Sequence, residues 1–253
     1  MGVIGAEFVF QLALGQWVSA RRSVAAFKNS GYSTWTMRHA FLADMGGFVL
    51  RHPDSEDFPL TAKKVHYLVT EGYVPYSAVG LDRKFIDDKT KGDGTVRFIT
   101  VCQMVWFSIN CFGRLAQRLA ITTIELTTLG FILCTLGTYF LWARKPMDVG
   151  SAIILVPNVS VREIQEKAGD QAKEPFYDTP LDFIGRELSP WALYWTYLVN
   201  ILGKFSSVFR HTPQKIRDDN FLPLSPATTV VLFLSQVTFA AVHVSGWNIH
   251  FPS

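Results

Sequence analysis

Glu125 is the one carboxylate in an apolar run spanning residues 119–143, and its position raises a question of chemistry. Upstream, Gln103, Asn110, Arg114 and Gln117 recur at intervals of seven, four and three, so they share one helical face. Arg118, Thr122, Glu125, Thr128 and Thr135 fall on a second such face. A helical hairpin turning near residues 116 and 117 brings Glu125 roughly level with Ser108, with Asn110 and Arg114 within side-chain reach. The set Gln103, Asn110, Arg114, Gln117, Arg118 and Glu125 then forms a polar seam inside an apolar environment. A charged carboxylate at mid-membrane costs about 2.5 to 3.5 kcal/mol, so it must be paired, protonated or wet. Glu125 lies roughly 9 Å from the start of its run at the helical rise, which lowers that cost. Two readings stay open: a structural tie between helices, or a proton carrier, ion ligand or general acid.

A second candidate face joins Gln236, His243, Trp247 and His250. Two histidines seven apart suit haem or metal ligation, but beside a tryptophan they equally suit anchoring at a membrane interface, which is the expectation here. No metal site is expected. Cys102, Cys111 and Cys134 all fall in apolar runs without metal-ligand spacing and read as packing residues. No nucleotide-binding, nucleophile-elbow or zinc-protease motif is present, and no cofactor is assigned.

These residues need elements to hold them, and charge segregation supplies the outline. Of 253 residues 49% are hydrophobic, yet charge is nearly absent from a few runs and dense between them. That is the pattern of an all-α, multi-pass transmembrane bundle with about four or five spans and amphipathic or soluble helices in the loops. The expected division is a first span at residues 1–20, a loop region at 21–95, a transmembrane hairpin at 96–143, a polar loop with a short helix at 144–189, and two further spans with their connection at 190–253. The formal charge of +3 forms no basic stripe, so nucleic acid is not an expected partner; the lipid bilayer is, with a lipid or small apolar molecule as candidate ligand.

Within the loops, residues 35–50 read as an amphipathic piece suited to a membrane surface or to ordinary packing. Residues 60–75 read as a helix stopped by Gly72 and Pro75, and Ser160 with Glu163 as a capping box opening a helix that Gly169 ends. The acidic stretch 82–94 resembles a calcium loop, but Lys89 and Lys91 stand where oxygen ligands are needed, so it reads as a solvated turn. Lys and Arg number 12 in residues 20–97 and 6 in residues 144–189, which places both regions in the cytosol, in the plasma membrane or an endomembrane.

The stretches HAFLADMGGF, DFPLTAKKVHYLV, ITTIELTTLGF and HVSGWNIHFPS resemble a large family of uncharacterised fungal multi-pass membrane proteins. The resemblance implies a helical membrane fold and brings no activity with it. Function is therefore expected to be non-enzymatic, meaning channel-like, transport-related or scaffolding. The alternative is a membrane enzyme acting on a lipid or isoprenoid, with Glu125 as general acid and Trp106, Phe107, Trp191 or Trp195 as an aromatic wall.

Overall fold

The computed structural model describes residues 5–81, 86, 94–146, 152–172, 179–185 and 226–245. The expected span at 190–209, including Trp191 and Trp195, lies outside these residues. So do Trp247, His250 and most of the acidic stretch 82–94.

The described chain falls into two compact units, one from residues 5–14, 94–143 and 226–245, the other from 15–81, 144–146, 152–172 and 179–185, with Ile86. In the first unit, α4 (Gly94–Ala116) and α5 (Thr123–Leu141) are long and apolar enough to cross a membrane. The apolar α7 (Pro226–Ser245) packs on α5, with Phe131 and Phe239 stacked at 5.9 Å. Gly137 of α5 admits the ring of Phe10, from the start of α1 (Gly5–Asn29), to a distance no larger residue allows. The described residues are thus mostly helical, with two candidate spans among them.

The expected first span takes a different form. Its residues 5–20 belong to α1, which does not stop at the Arg21–Arg22 pair but continues to Asn29. Glu7, Gln11, Gln16, Arg21, Arg22 and Lys28 keep it too polar to count among the membrane-length apolar helices. Its second half instead buries Val18, Ala20 and Phe27 in the second unit, where Trp35 stacks on Phe27 at 4.0 Å and donates its indole N–H to Ser23 Oγ.

An all-α architecture is also corrected. The second unit contains a three-stranded mixed sheet of order β2-β1-β3, built from β1 (Phe48–His52), β2 (Ser55–Pro59) and β3 (Ile153–Leu155). Strand β2 pairs antiparallel with β1, Leu50 opposite Phe58, while β3 pairs parallel, with Leu50 opposite Leu155. A parallel neighbour needs a long crossover. Here that connection includes the whole α4–α5 hairpin, so no local pattern announces it.

The expected amphipathic piece at 35–50 is α2 (Met37–Asp44) running into β1, and its apolar residues Phe41, Leu42 and Ala43 are buried in the unit rather than offered to a membrane surface. Helix α2 ends in a double bond pattern, Gly46 N–H to the Ala43 carbonyl and Gly47 N–H to the Leu42 carbonyl, with Gly46 at φ +81°. Helix α3 (Ala62–Thr70) starts at Thr61, whose hydroxyl accepts from Lys64 N–H, and the turn after it holds Gly72 at φ +73°. Helix α6 (Val161–Ala168) starts on Ser160 and is followed by Gly169 at φ +63°.

His39 joins the caps of α2 to the rest of the unit. Its Nδ1 accepts from the Thr36 backbone N–H and pairs with the Thr36 hydroxyl at 2.8 Å, while Nε2 faces the Leu81 carbonyl at 2.9 Å and must carry the proton. A second proton on Nδ1 would meet the Thr36 N–H. Burial holds the imidazole below its ordinary value, which the bond to Leu81 only partly opposes. His66 is lowered in the same direction by burial. Folded-state values below the unfolded ones mean that this stability is present above about pH 6.5 and is lost as pH falls through the folded values. Thermal unfolding in detergent followed between pH 7.5 and 5 should show a falling midpoint, and His39→Gln should flatten part of that fall. An unchanged acid limb in the variant would remove His39 from the account.

Candidate functional site

The polar set of the α4–α5 hairpin is assembled by two caps. Helix α4 closes on Gln117 with Arg118 at φ 56°, its N–H bonded to the Leu115 carbonyl, and the Leu119 N–H bonded to the Arg114 carbonyl. This is the glycine-type helix stop carried out by an arginine, at a cost of about 1 kcal/mol. Four residues later Thr122 opens α5. Its hydroxyl accepts from the Glu125 N–H at 3.2 Å, and Glu125 Oε2 accepts from the Thr122 N–H at 2.8 Å and from its hydroxyl at 3.0 Å. That is a complete capping box.

Arg114 then bridges the two caps. Its Nη1 donates to Glu125 Oε1 at 2.9 Å and its Nη2 to the Ala120 carbonyl at 2.9 Å. Both carboxylate oxygens are occupied by donors, on a side chain 20% exposed at the first turn of α5. Chemically this is an acceptor held in place, with the N-terminal end of a helix adding a favourable partial charge.

The remaining seam residues are not gathered there. Asn110 donates to the Trp106 carbonyl of its own helix, at 2.8 Å, and Ser108 bonds the Met104 carbonyl. Gln103 lies further along α4 and is exposed, as are Gln117 and Arg118 in the turn. On α7, Gln236 is half-buried; the side chain of His243 and the whole of His250 lie outside the described residues. Among the described residues no group of three or more histidine, cysteine, aspartate or glutamate side chains is placed to hold a metal ion. Cys111 and Cys134 are buried and Cys102 is exposed, all as thiols.

Replacing Glu125 with Gln puts an amide nitrogen or a lone acceptor where three donors converge. The cap and the ion pair weaken together, at about 1 to 2 kcal/mol. In membranes, trypsin should cut faster at Arg118 in the exposed turn of the variant than in the parent. An unaltered cleavage rate would show that the box does not hold the hairpin.

The second unit carries polar contacts that sequence reasoning missed. Lys64 of α3 is nearly buried and donates from Nζ to Thr179 Oγ1 at 2.5 Å and to Asp182 Oδ1 at 2.7 Å. Thr179 gives its own N–H to Asp182 Oδ2 at 2.9 Å and its hydroxyl to Oδ1 at 2.6 Å. Burial alone would raise the Asp182 carboxyl, but the charge and hydrogen bond of Lys64, with the Thr179 bonds, bring it below its ordinary value. An amine directed at a hydroxyl suggests nucleophile activation, yet Asp182 engages both, so the trio is a tie between distant segments. The sequence did hold one signal, the T-P-L-D start of a capped turn at Thr179.

Asp44 makes a comparable junction. It accepts from Ser19 of α1 and from the Ala62 N–H at the start of α3, and its removal from water pushes its carboxyl up despite both bonds. It therefore joins three helices of one unit.

Comparison with curated proteins and with solved structures finds no match. A family model described as a family of unknown function, DUF8562, matches residues 15–164, a stretch that contains the sheet, α2, α3 and the whole α4–α5 hairpin. Its coverage of more than half of the 253 residues establishes that the chain belongs to this family.

Proposed function

We propose that the chain is a non-enzymatic integral membrane protein, with the α4–α5 hairpin as anchor and the sheet-containing unit as the part presented to the cytosol. The observation that carries this reading is the outward surface of the two helices. Trp106 is 68%, Ile124 77% and Phe140 76% exposed, in helices whose sequences match bilayer length. Such side chains at these positions suit lipid as their solvent.

Pairing across the hairpin supports a topology. Strands β1 and β2 precede α4 and β3 follows α5, yet they form one sheet, and Lys64 meets Asp182 from the two sides of the same insertion. Segments that fold together lie on one side of a membrane, which requires an even number of crossings between them. The Lys and Arg excess in the same two segments favours the cytosolic side. Glu125, with each oxygen taken, supports a tie in the anchor better than a general acid.

Alkaline carbonate extraction of microsomes tests the anchor, and protease protection tests the side. The chain should stay in the pellet, and trypsin added outside sealed vesicles should reach both the 21–95 and the 144–189 segments. Release into the carbonate supernatant would overturn the anchor. A glycosidase-sensitive shift at Asn158, in the sequence Asn158-Val159-Ser160, would invert the topology.

A further inference from the structure

We infer that α4 is a self-association helix, and that its partner is α4 of a second copy of this chain. The residues Val96, Ile99, Gln103, Trp106, Asn110 and Gly113 recur at alternating intervals of three and four, which is the spacing of a two-helix seam. They lie on one side of α4, and all are exposed except the half-buried Gly113. The helix turns a different side inward, where Cys111 is buried. So the seam is separate from the packing that forms the hairpin.

Two members of this seam are amides, seven residues apart. Asn110 uses one N–H on the Trp106 carbonyl, which leaves its other N–H and its carbonyl oxygen to be matched. Gln103 stands two helical turns away on an apolar helix. Amides facing lipid lose their hydrogen bonds to water, which costs several kcal/mol for each group left without a partner. Surface apolar residues do not explain these two.

Membrane insertion determines which partner fits. Two copies of one chain enter a bilayer with the same orientation, so a symmetric pair has its two-fold axis along the membrane normal and its α4 helices parallel and in register. Each seam residue then meets its own copy. An amide is the neutral side chain suited to that meeting, because it both donates and accepts. Gln103 pairs with Gln103 and Asn110 with Asn110 of the second copy, while Gly113 permits close approach beside them. The inference rests on α4 spanning the membrane.

Disulfide cross-linking in native membranes tests it. In a Cys102→Ser background, which retains only the buried Cys111 and Cys134, one added cysteine at a time replaces Gln103, Trp106 or Asn110 on the seam, or Val105 or Phe112 on the opposite side of α4, with the background itself as the control. Seam positions should give dimers under mild oxidation, and the opposite positions should give at least tenfold less. In a separate measurement, the variant Gln103→Leu with Asn110→Leu should lower co-isolation of two differently tagged copies by about tenfold, while still inserting. Equal cross-linking from both sides, or from neither, overturns the inference, as does undiminished co-isolation of the leucine variant. In either case the seam is left to lipid or to another part of the same chain. A chain extracted by alkali defeats the anchor reading first, whereas one that stays embedded and monomeric defeats this inference alone.

Discussion

Gly47→Ala should cost the second unit about 3 kcal/mol or more, and should be worse than Gly46→Ala. The expected order runs against backbone conformation taken alone, since Gly46 is the residue at φ +81°. A methyl group at Gly46 meets only Pro59 Cβ at 3.7 Å, an ordinary contact, so the cost there is the left-handed backbone, about 1 to 2 kcal/mol. At Gly47 the added Cβ would lie 2.6 Å from the Leu42 carbonyl oxygen and 2.6 Å from Leu42 Cγ. Neither atom is free to retreat. The carbonyl accepts the Gly47 N–H at 2.8 Å, and the Leu42 side chain is buried. Relief would separate α2 from β1 at the start of the sheet, where Phe48 is fully buried. With native stabilities of about 5 to 15 kcal/mol, a loss of this size brings the unit near unfolding at physiological temperature. Limited proteolysis of the full chain in membranes reads the effect: residues 15–81 should become cleavable in Gly47→Ala at temperatures where Gly46→Ala stays resistant. The reverse order would show that conformation, not space, decides this turn.

That turn lies in the stretch HAFLADMGGF, and the structure gives each part of it a packing duty. His39 caps α2 and reaches Leu81, Phe41 to Ala43 fill the core, Asp44 joins α1 to α3, and the glycine pair turns the chain into β1. Such a stretch carries a fold signature rather than a site. The hairpin is equally legible: apolar length locates α4 and α5 within a few residues, and the helix start at Ser160 is readable because a cap is local chemistry. The strands are not, because β2 reads SEDFP without alternation and β3 has three residues whose partner lies about a hundred positions away. The extension of α1 past Arg21 and Arg22 escaped because those side chains are exposed while the opposite side is buried.

Glu125 is the instructive case. Thr122-Thr123-Ile124-Glu125 has the same capping-box spacing as Ser160 to Glu163, and the box forms at Thr122. Its setting in an apolar run suits membrane chemistry, but the local capping signature already supplies a role. Arg114 donates to Glu125 across the turn, whereas Asn110 spends one N–H on its own helix and does not reach Glu125.

Removing either member of the Lys64–Asp182 pair should destabilise the second unit by about 3 to 5 kcal/mol, because each leaves an uncompensated charge in a mostly buried place. Lys64→Met removes from Asp182 its cationic partner, and Asp182→Ala removes from Lys64 its carboxylate. The double variant Lys64→Met with Asp182→Leu should lose less than either single change, since the net worth of a buried pair is small beside the cost of half of one. Acid provides an independent test. The folded Asp182 carboxyl lies below its unfolded value, so the stability it contributes is present above about pH 4 and is lost as pH falls through the folded value. Without Lys64, the largest of the lowering influences is gone while burial still acts to raise that carboxyl against the Thr179 bonds. Acidification should therefore cost the Lys64→Met variant less than the parent. Unfolding of the parent, both singles and the double in detergent at pH 7 and near pH 3.5 measures all of this. Additive losses at neutral pH together with parallel acid responses would show that the pair is a surface contact of little consequence, and the two segments flanking the hairpin would need another clasp.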